Sequence, residues 1–150
     1  YYRDICRGEL KPVLESLKIL QKEGIWYEIV YLVVPTLNDQ EGPIRKMSLW
    51  IMKELSAEVP LHFTRFHPMY LLKNLPPTPV QTLEKARNIA LEAGLRFVYI
   101  GNVPGHEGEN THCPRCRRVL IRRIGYRIQE NQLQKGACPF CGEKIPGVWG

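Results

Sequence analysis

Long apolar runs are missing from this 150-residue chain. No stretch reaches the roughly 20 apolar residues that a membrane-spanning helix needs, and no secretory signal is visible, so no membrane partner is expected. The familiar catalytic signatures are missing too: there is no G-x-G-x-x-G, Walker loop, H-E-x-x-H or Ser-His-Asp arrangement. Acidic residues are the minority, 15 against 21 Lys and Arg, which leaves a formal charge of +6. Such an excess raises nucleic acid as a partner. Its distribution tempers that reading, because eight Lys/Arg and four Glu lie from His106 onward, beside cysteines whose thiolates would cancel much of the excess. Aromatic interleaving among those arginines is thin. Cysteine is sparse as well. Five residues, an odd number, do not make a secreted disulfide scaffold, and a cytoplasmic, reducing location is expected.

What is present is a globular composition, 44% hydrophobic, long enough for one domain or for a domain with an appendage. The chain begins with Tyr1, not Met, which points to processing or to a piece of something longer.

Four of the five cysteines form two Cys-Pro-x-Cys pairs, Cys113-Pro114-Arg115-Cys116 and Cys138-Pro139-Phe140-Cys141. Two such knuckles supply the four thiolates of a tetrahedral soft-metal site. Closed four-sulfur coordination leaves no open position, so one structural zinc ion is expected, in a zinc-ribbon-like domain over 106–150. A single iron takes the same ligands, and four buried or disulfide-bonded cysteines are the remaining alternative. His112 is read as a bystander and Cys6 as an ordinary thiol. The segment is too small to fold on apolar contacts alone, so the metal would supply its folding free energy. A hairpin is expected between the knuckles, with strands over 119–129 and 132–137.

The first two-thirds alternates helix and strand. Helices are predicted over 9–23, with Val13, Leu14, Leu17 and Leu20 on one face, over 41–57, and from Thr78 to Gly94. For the last, Pro79 at the first position and a Thr78–Gln81 capping box mark the start. Strands are predicted over 26–35, 61–67 and 97–101. Strands separated by helical crossovers should be parallel and right-handed. Three cannot close a barrel that takes about 250 residues in its eight-stranded form. The fold class is therefore α/β: a partial (β/α) barrel of about three units over 1–105, then the small β domain. A first helix with no strand before it also suggests a missing N-terminal part.

Candidate ligand residues gather where the strands end, the usual ligand side of α/β folds. His62, Arg65 and His67 interrupt a strand that should be apolar on both faces. Arg65 suits a carboxylate or phosphate, and His67 a base. A satisfied core histidine or a solvated edge strand is the competing reading. Asn38-Asp39 are placed to cap the next helix or to meet a ligand. His106, Glu107, Glu109 and Asn110 lie in a Gly/Pro-rich loop, 101–110, that serves either solubility or function.

Several segments together resemble the C-terminal half of the AmmeMemoRadiSam-system radical SAM enzymes, relatives of the pyruvate formate-lyase activating enzymes. These are Tyr2-Arg3-Asp4-Ile5-Cys6, the run from Val33-Val34-Pro35 to Asn38-Asp39, His62-Phe63-Thr64-Arg65-Phe66-His67-Pro68, Leu75-Pro76-Pro77-Thr78-Pro79, the loop from Gly101 to Pro114, and Ile145-Pro146-Gly147-Val148-Trp149. The resemblance implies a (β/α)6-type barrel, a [4Fe–4S] cluster and S-adenosylmethionine (SAM), cleaved reductively to a 5′-deoxyadenosyl radical. It implies that Val34, Pro35 and Asn38 help hold the adenine and ribose, and that His67 lies against the adenine with Arg65 nearby. The family's Cys-x-x-x-Cys-x-x-Cys cluster loop and its Gly-Gly-Glu-type segment are absent here. The chain would thus be inactive alone, with the missing N-terminal barrel half or another chain as partner and a protein as a candidate substrate. The alternative is a non-enzymatic ribbon whose Arg117, Arg118, Arg122, Arg123 and Arg127 contact RNA or a protein.

Overall fold

The computed structural model describes residues 1–149. Helices α1 (Leu10–Lys22), α2 (Glu41–Glu54) and α3 (Val80–Glu92) alternate with strands β1 (Ile29–Val33), β2 (Leu61–Arg65) and β3 (Val98–Gly101). The strands form one parallel sheet in the order β1-β2-β3. Ile29 pairs with Leu61 and Leu61 with Val98. Side chains alternate across a strand, so the registered rows Ile29–Leu61–Val98 and Tyr31–Phe63–Ile100 share one face. That face meets the helices. Ile44, Ser48 and Ile51 of α2 and Leu83, Ala86, Ile89 and Ala90 of α3 are their buried residues, at helical spacing. Leu61, Phe63 and Leu83 are fully buried there. Burying each such side chain contributes about 1.5–3 kcal/mol.

The opposite face is covered on one side only. Its rows are Val30–His62–Tyr99 and Leu32–Thr64–Gly101. Near β3 the chain folds back over it, with the Tyr99 hydroxyl 3.1 Å from Thr111 Oγ1. At β1 none of the described residues covers this face, and Val30 is 68% exposed and Leu32 41%. Helix α1 buries no residue. Leu14, Leu17 and Leu20 are half-buried and Val13 is exposed. It reaches α2 through Lys18, which pairs with Glu54 and lies 5.9 Å from the Trp50 ring centroid.

A second, antiparallel sheet joins β4 (Thr111–His112), β5 (Val119–Ile124) and β6 (Arg127–Asn131) in that order. The expected hairpin exists, but its turn lies at Gly125-Tyr126, inside the stretch expected to be one long strand. Gly125 has φ 56°, the conformation a two-residue hairpin turn asks of its first central residue. The signal was masked because Tyr126 is not a usual turn residue. Residues 132–137 contribute two isolated bridges, Gln134 to Ala137 and Ala137 to Lys144, in place of a strand. The small core contains Leu120, Ile121 and Ile145 with Cys113 and Cys138, and Phe97 from beside β3 packs into it. Arg96 bonds both Glu58 and Glu143 and so ties the two sheets together.

Candidate metal centre and strand ends

The two knuckles bring Cys113, Cys116, Cys138 and Cys141 together, with all four sulfurs within 4.8 Å of one another. Cys113 and Cys141 are 3.5 Å apart at sulfur, Cys116 and Cys138 3.7 Å. A tetrahedral ion with metal–sulfur bonds of about 2.3 Å sets sulfurs about 3.8 Å apart. All five cysteines are unbridged, so disulfide pairing is not what assembles the site. Each knuckle is locked by the same two backbone bonds. Cys113 N donates to Arg118 O and Cys138 N to Glu143 O, both at 2.8 Å, while Arg117 N and Gly142 N donate back to Cys113 O and Cys138 O at 2.9 Å. The chain therefore carries a four-cysteine metal-binding site.

The thiols cannot all ionise at this spacing without a cation. Burial pushes Cys113 up. Burial also works against Cys138, but the amides of Phe140 and Cys141 and the neighbouring thiols bring it down to about 7. The Glu143 amide favours the Cys141 thiolate, yet burial and three adjacent thiols push that group up to about 12. A divalent ion removes this mutual repulsion, because it binds all four groups as thiolates. His112 is not among the ligands; its Nε2 is 2.9 Å from Glu107 Oε1. Cys6 is exposed and belongs to no cluster.

The second group of candidates lies at the carboxyl ends of the parallel strands. Val34 and Pro35 are buried after β1. Asn38 is 8% exposed, and both ends of its amide bond the backbone: Oδ1 accepts from Val34 N at 2.7 Å and Nδ2 donates to Leu32 O at 2.9 Å. Asp39 accepts from Thr36 N at 3.0 Å. Neither residue caps α2, whose N-cap is Gln40 without a side-chain bond. Arg65 shares the helix-facing side of β2 with Leu61 and Phe63, and its Nε donates to Thr78 O at 2.9 Å. His67 is exposed. These residues share one end of the sheet, and among them His67 is the one open to solvent.

Thr78 has a role that the sequence reading missed. It is fully buried, and the expected capping box does not form, since α3 begins at Val80 with Pro79 as an uncapped N-cap. Its hydroxyl donates to Val33 O at 2.6 Å and accepts from Phe66 N at 3.0 Å. One hydroxyl thus clasps the ends of β1 and β2. A threonine between prolines carries no signal for such a long-range bond.

All three strands are followed by a non-glycine residue with positive φ: Thr36 at 68°, Tyr70 at 50° and Asn102 at 59°. Such backbone strain gathers at functional sites. Met69, Tyr70 and Leu71 are also more than two-thirds exposed, at 72%, 83% and 76%.

His62 belongs to the other end. Its Nε2 is 2.6 Å from Glu28 Oε2, and its ring stacks on Tyr99 at 4.8 Å between centroids. It is a satisfied histidine. The polar loop residues are likewise committed to structure. Glu109 is 8% exposed and accepts from Gly105 N at 2.8 Å and from Gly125 N at 3.2 Å. Asn110 accepts from Arg123 N at 2.8 Å, and His106 Nε2 is 3.1 Å from Glu84 Oε1. They hold the small sheet against the large one.

No family model matches the chain. The uncharacterized protein MJ0808 of Methanocaldococcus jannaschii is 49% identical to it over 147 residues, which is 97% of this chain and 44% of that protein. The chain spans less than half the length of the relative it matches.

Proposed function

We propose that this chain is the carboxyl-terminal part of a radical SAM enzyme of the AmmeMemoRadiSam type: an open portion of a (β/α) barrel followed by a zinc-bearing ribbon. The observation that carries this reading is the bare β1 edge. Parallel crossovers are right-handed, and α1 lies beside α2 through Lys18. A strand feeding α1 would therefore pair with the free edge of β1. The length of MJ0808 leaves room for such units. The strained, partly open strand ends support a ligand at that side of the sheet.

On this reading SAM, with a [4Fe–4S] cluster held elsewhere, supplies a 5′-deoxyadenosyl radical. His67, open to solvent, would lie against its adenine. Val34, Pro35 and Asn38 would shape the β1 turn rather than donate from side chains, and Arg65 would brace the β2 end through Thr78. The four cysteines do not fit the cluster, because their sulfurs sit at single-ion spacing. Zinc is the ion that suits a closed four-thiolate site.

The test is to supply the cluster-bearing part in trans under anaerobic reconstitution and to measure 5′-deoxyadenosine. Failure to cleave SAM with the cluster loaded would remove this reading. A second reading, a ribbon that binds RNA or a protein, draws on the hairpin tip. There Tyr126 and every residue of β6, including Arg127, are exposed. It requires salt-sensitive RNA binding that weakens when Arg122 and Arg127 are neutralised.

A further inference from the structure

The two knuckles share a backbone conformation but place different residues at one position of it. The residue after the second cysteine is left-handed in both, with φ 64° at Arg117 and 74° at Gly142. Glycine takes this conformation freely, whereas a residue with a Cβ is strained in it. The metal site does not need an arginine there, because Gly142 makes the same backbone bond. Arginine at 117 is therefore held against local preference, which directs attention to what its side chain meets.

Arg117 borders a narrow, open-sided cleft between α3, β3 and the first knuckle, with about 30 Å³ accessible to water. Arg87, Arg96 and His112 share its walls, and no Asp or Glu does. Arg96 is neutralised by Glu58 and Glu143, and His112 is held by Glu107. Among the described residues, Arg87 and Arg117 pair with no carboxylate. Arg87 Nε donates to Val98 O at 2.9 Å, which fixes the guanidinium and leaves its two terminal nitrogens for another acceptor. Burial, and then the charge of Arg117, hold Arg87 below its usual value, so two like charges face one half-buried space.

We propose that this cleft is an anion site that takes a phosphate group between Arg87 and Arg117. The forked N–H donors of guanidinium match phosphate oxygens, and two of them compensate its charge. The group is carried by inorganic phosphate or by a small phosphate ester. The same arginines also lie beside Cys113, so the thiolate charge of the metal site is the competing explanation for them.

The zinc-loaded full chain is titrated by calorimetry with inorganic phosphate and, separately, with AMP, at constant ionic strength. Saturable binding of one ligand per chain is expected, and the ligand that binds more tightly identifies the carrier. Arg117→Gly relieves the backbone and copies the second knuckle, so it should fold and keep its metal yet bind about tenfold more weakly. Arg87→Gln, which keeps a donor for Val98 O, should show a similar loss. Absence of saturable binding by the unaltered protein overturns the proposal, and so does binding that both variants leave unchanged. If the variants lose zinc faster while the unaltered protein binds neither ligand, the arginines serve the thiolates and the anion site is refuted.

Discussion

Thirteen buried residues close the core of the parallel sheet, all of them apolar and drawn from strands, helices and their connections. The ribbon's core has six, of which two are cysteines and one, Phe97, belongs to the strand side. The first unit is held by the area it removes from water. The second has Leu120, Ile121 and Ile145 as its own aliphatic core, and a metal site at its centre. Neighbouring segments of one chain thus rely on different forces, and they should fail under different treatments.

Metal removal is the strongest way to separate them. Structural zinc in such sites contributes on the order of 10 kcal/mol. Chelation, or Cys138→Ser, is expected to unfold the ribbon while the helices persist in far-UV circular dichroism. Zinc retained at full stoichiometry in Cys138→Ser would contradict four-sulfur ligation. The converse lesion is Phe63→Ala, at a fully buried position in the sheet. It should cost about 3–5 kcal/mol in denaturant unfolding and leave the metal content near one ion per chain. Loss of metal in that variant would mean that the two units are not separable.

Thr78→Val tests the clasp within the sheet. It keeps the shape but strands Val33 O and Phe66 N, and should cost about 1–3 kcal/mol. Metal affinity should not change. The smallest effect belongs to Glu28. Its hydrogen bond with His62 holds its carboxyl below the ordinary 4.5, against the opposing effect of burial. Stability from this group is therefore present above pH 4.5 and lost as the pH falls through the lowered value. Glu28→Gln should flatten that acid limb in pH-dependent thermal melts; an unchanged acid limb would show that the pair adds nothing.

The parallel order was legible because helix and strand periods differ and each crossover holds one helix. The ligand set was legible because a knuckle is local: four residues contain both sulfurs and their turn. What escaped depends on distant partners. Thr78 has the composition of a cap, and its hydroxyl is used 45 residues away at Val33. Arg65 interrupts an apolar strand, yet its row faces the helices and its Nε braces a backbone carbonyl. The commitments of Glu109 and Asn110 are not local, because their donors, Gly125 N and Arg123 N, lie on a hairpin further along the chain.

The registers also set an order of events in time. Ile29 meets Leu61 and Leu61 meets Val98, so each parallel pairing must first close a loop of more than thirty residues. Ile124 meets Arg127 across two. Hairpins of that kind form in about 1–10 μs, whereas sheets built from distant segments form more slowly. The hairpin, although it comes later in the sequence, is thus expected to acquire structure before the parallel sheet. In refolding with cobalt in place of zinc, the metal-site absorbance should rise before the Trp50 fluorescence change, read in a variant with Trp26→Phe and Trp149→Phe, and simultaneous signals would argue for one cooperative unit.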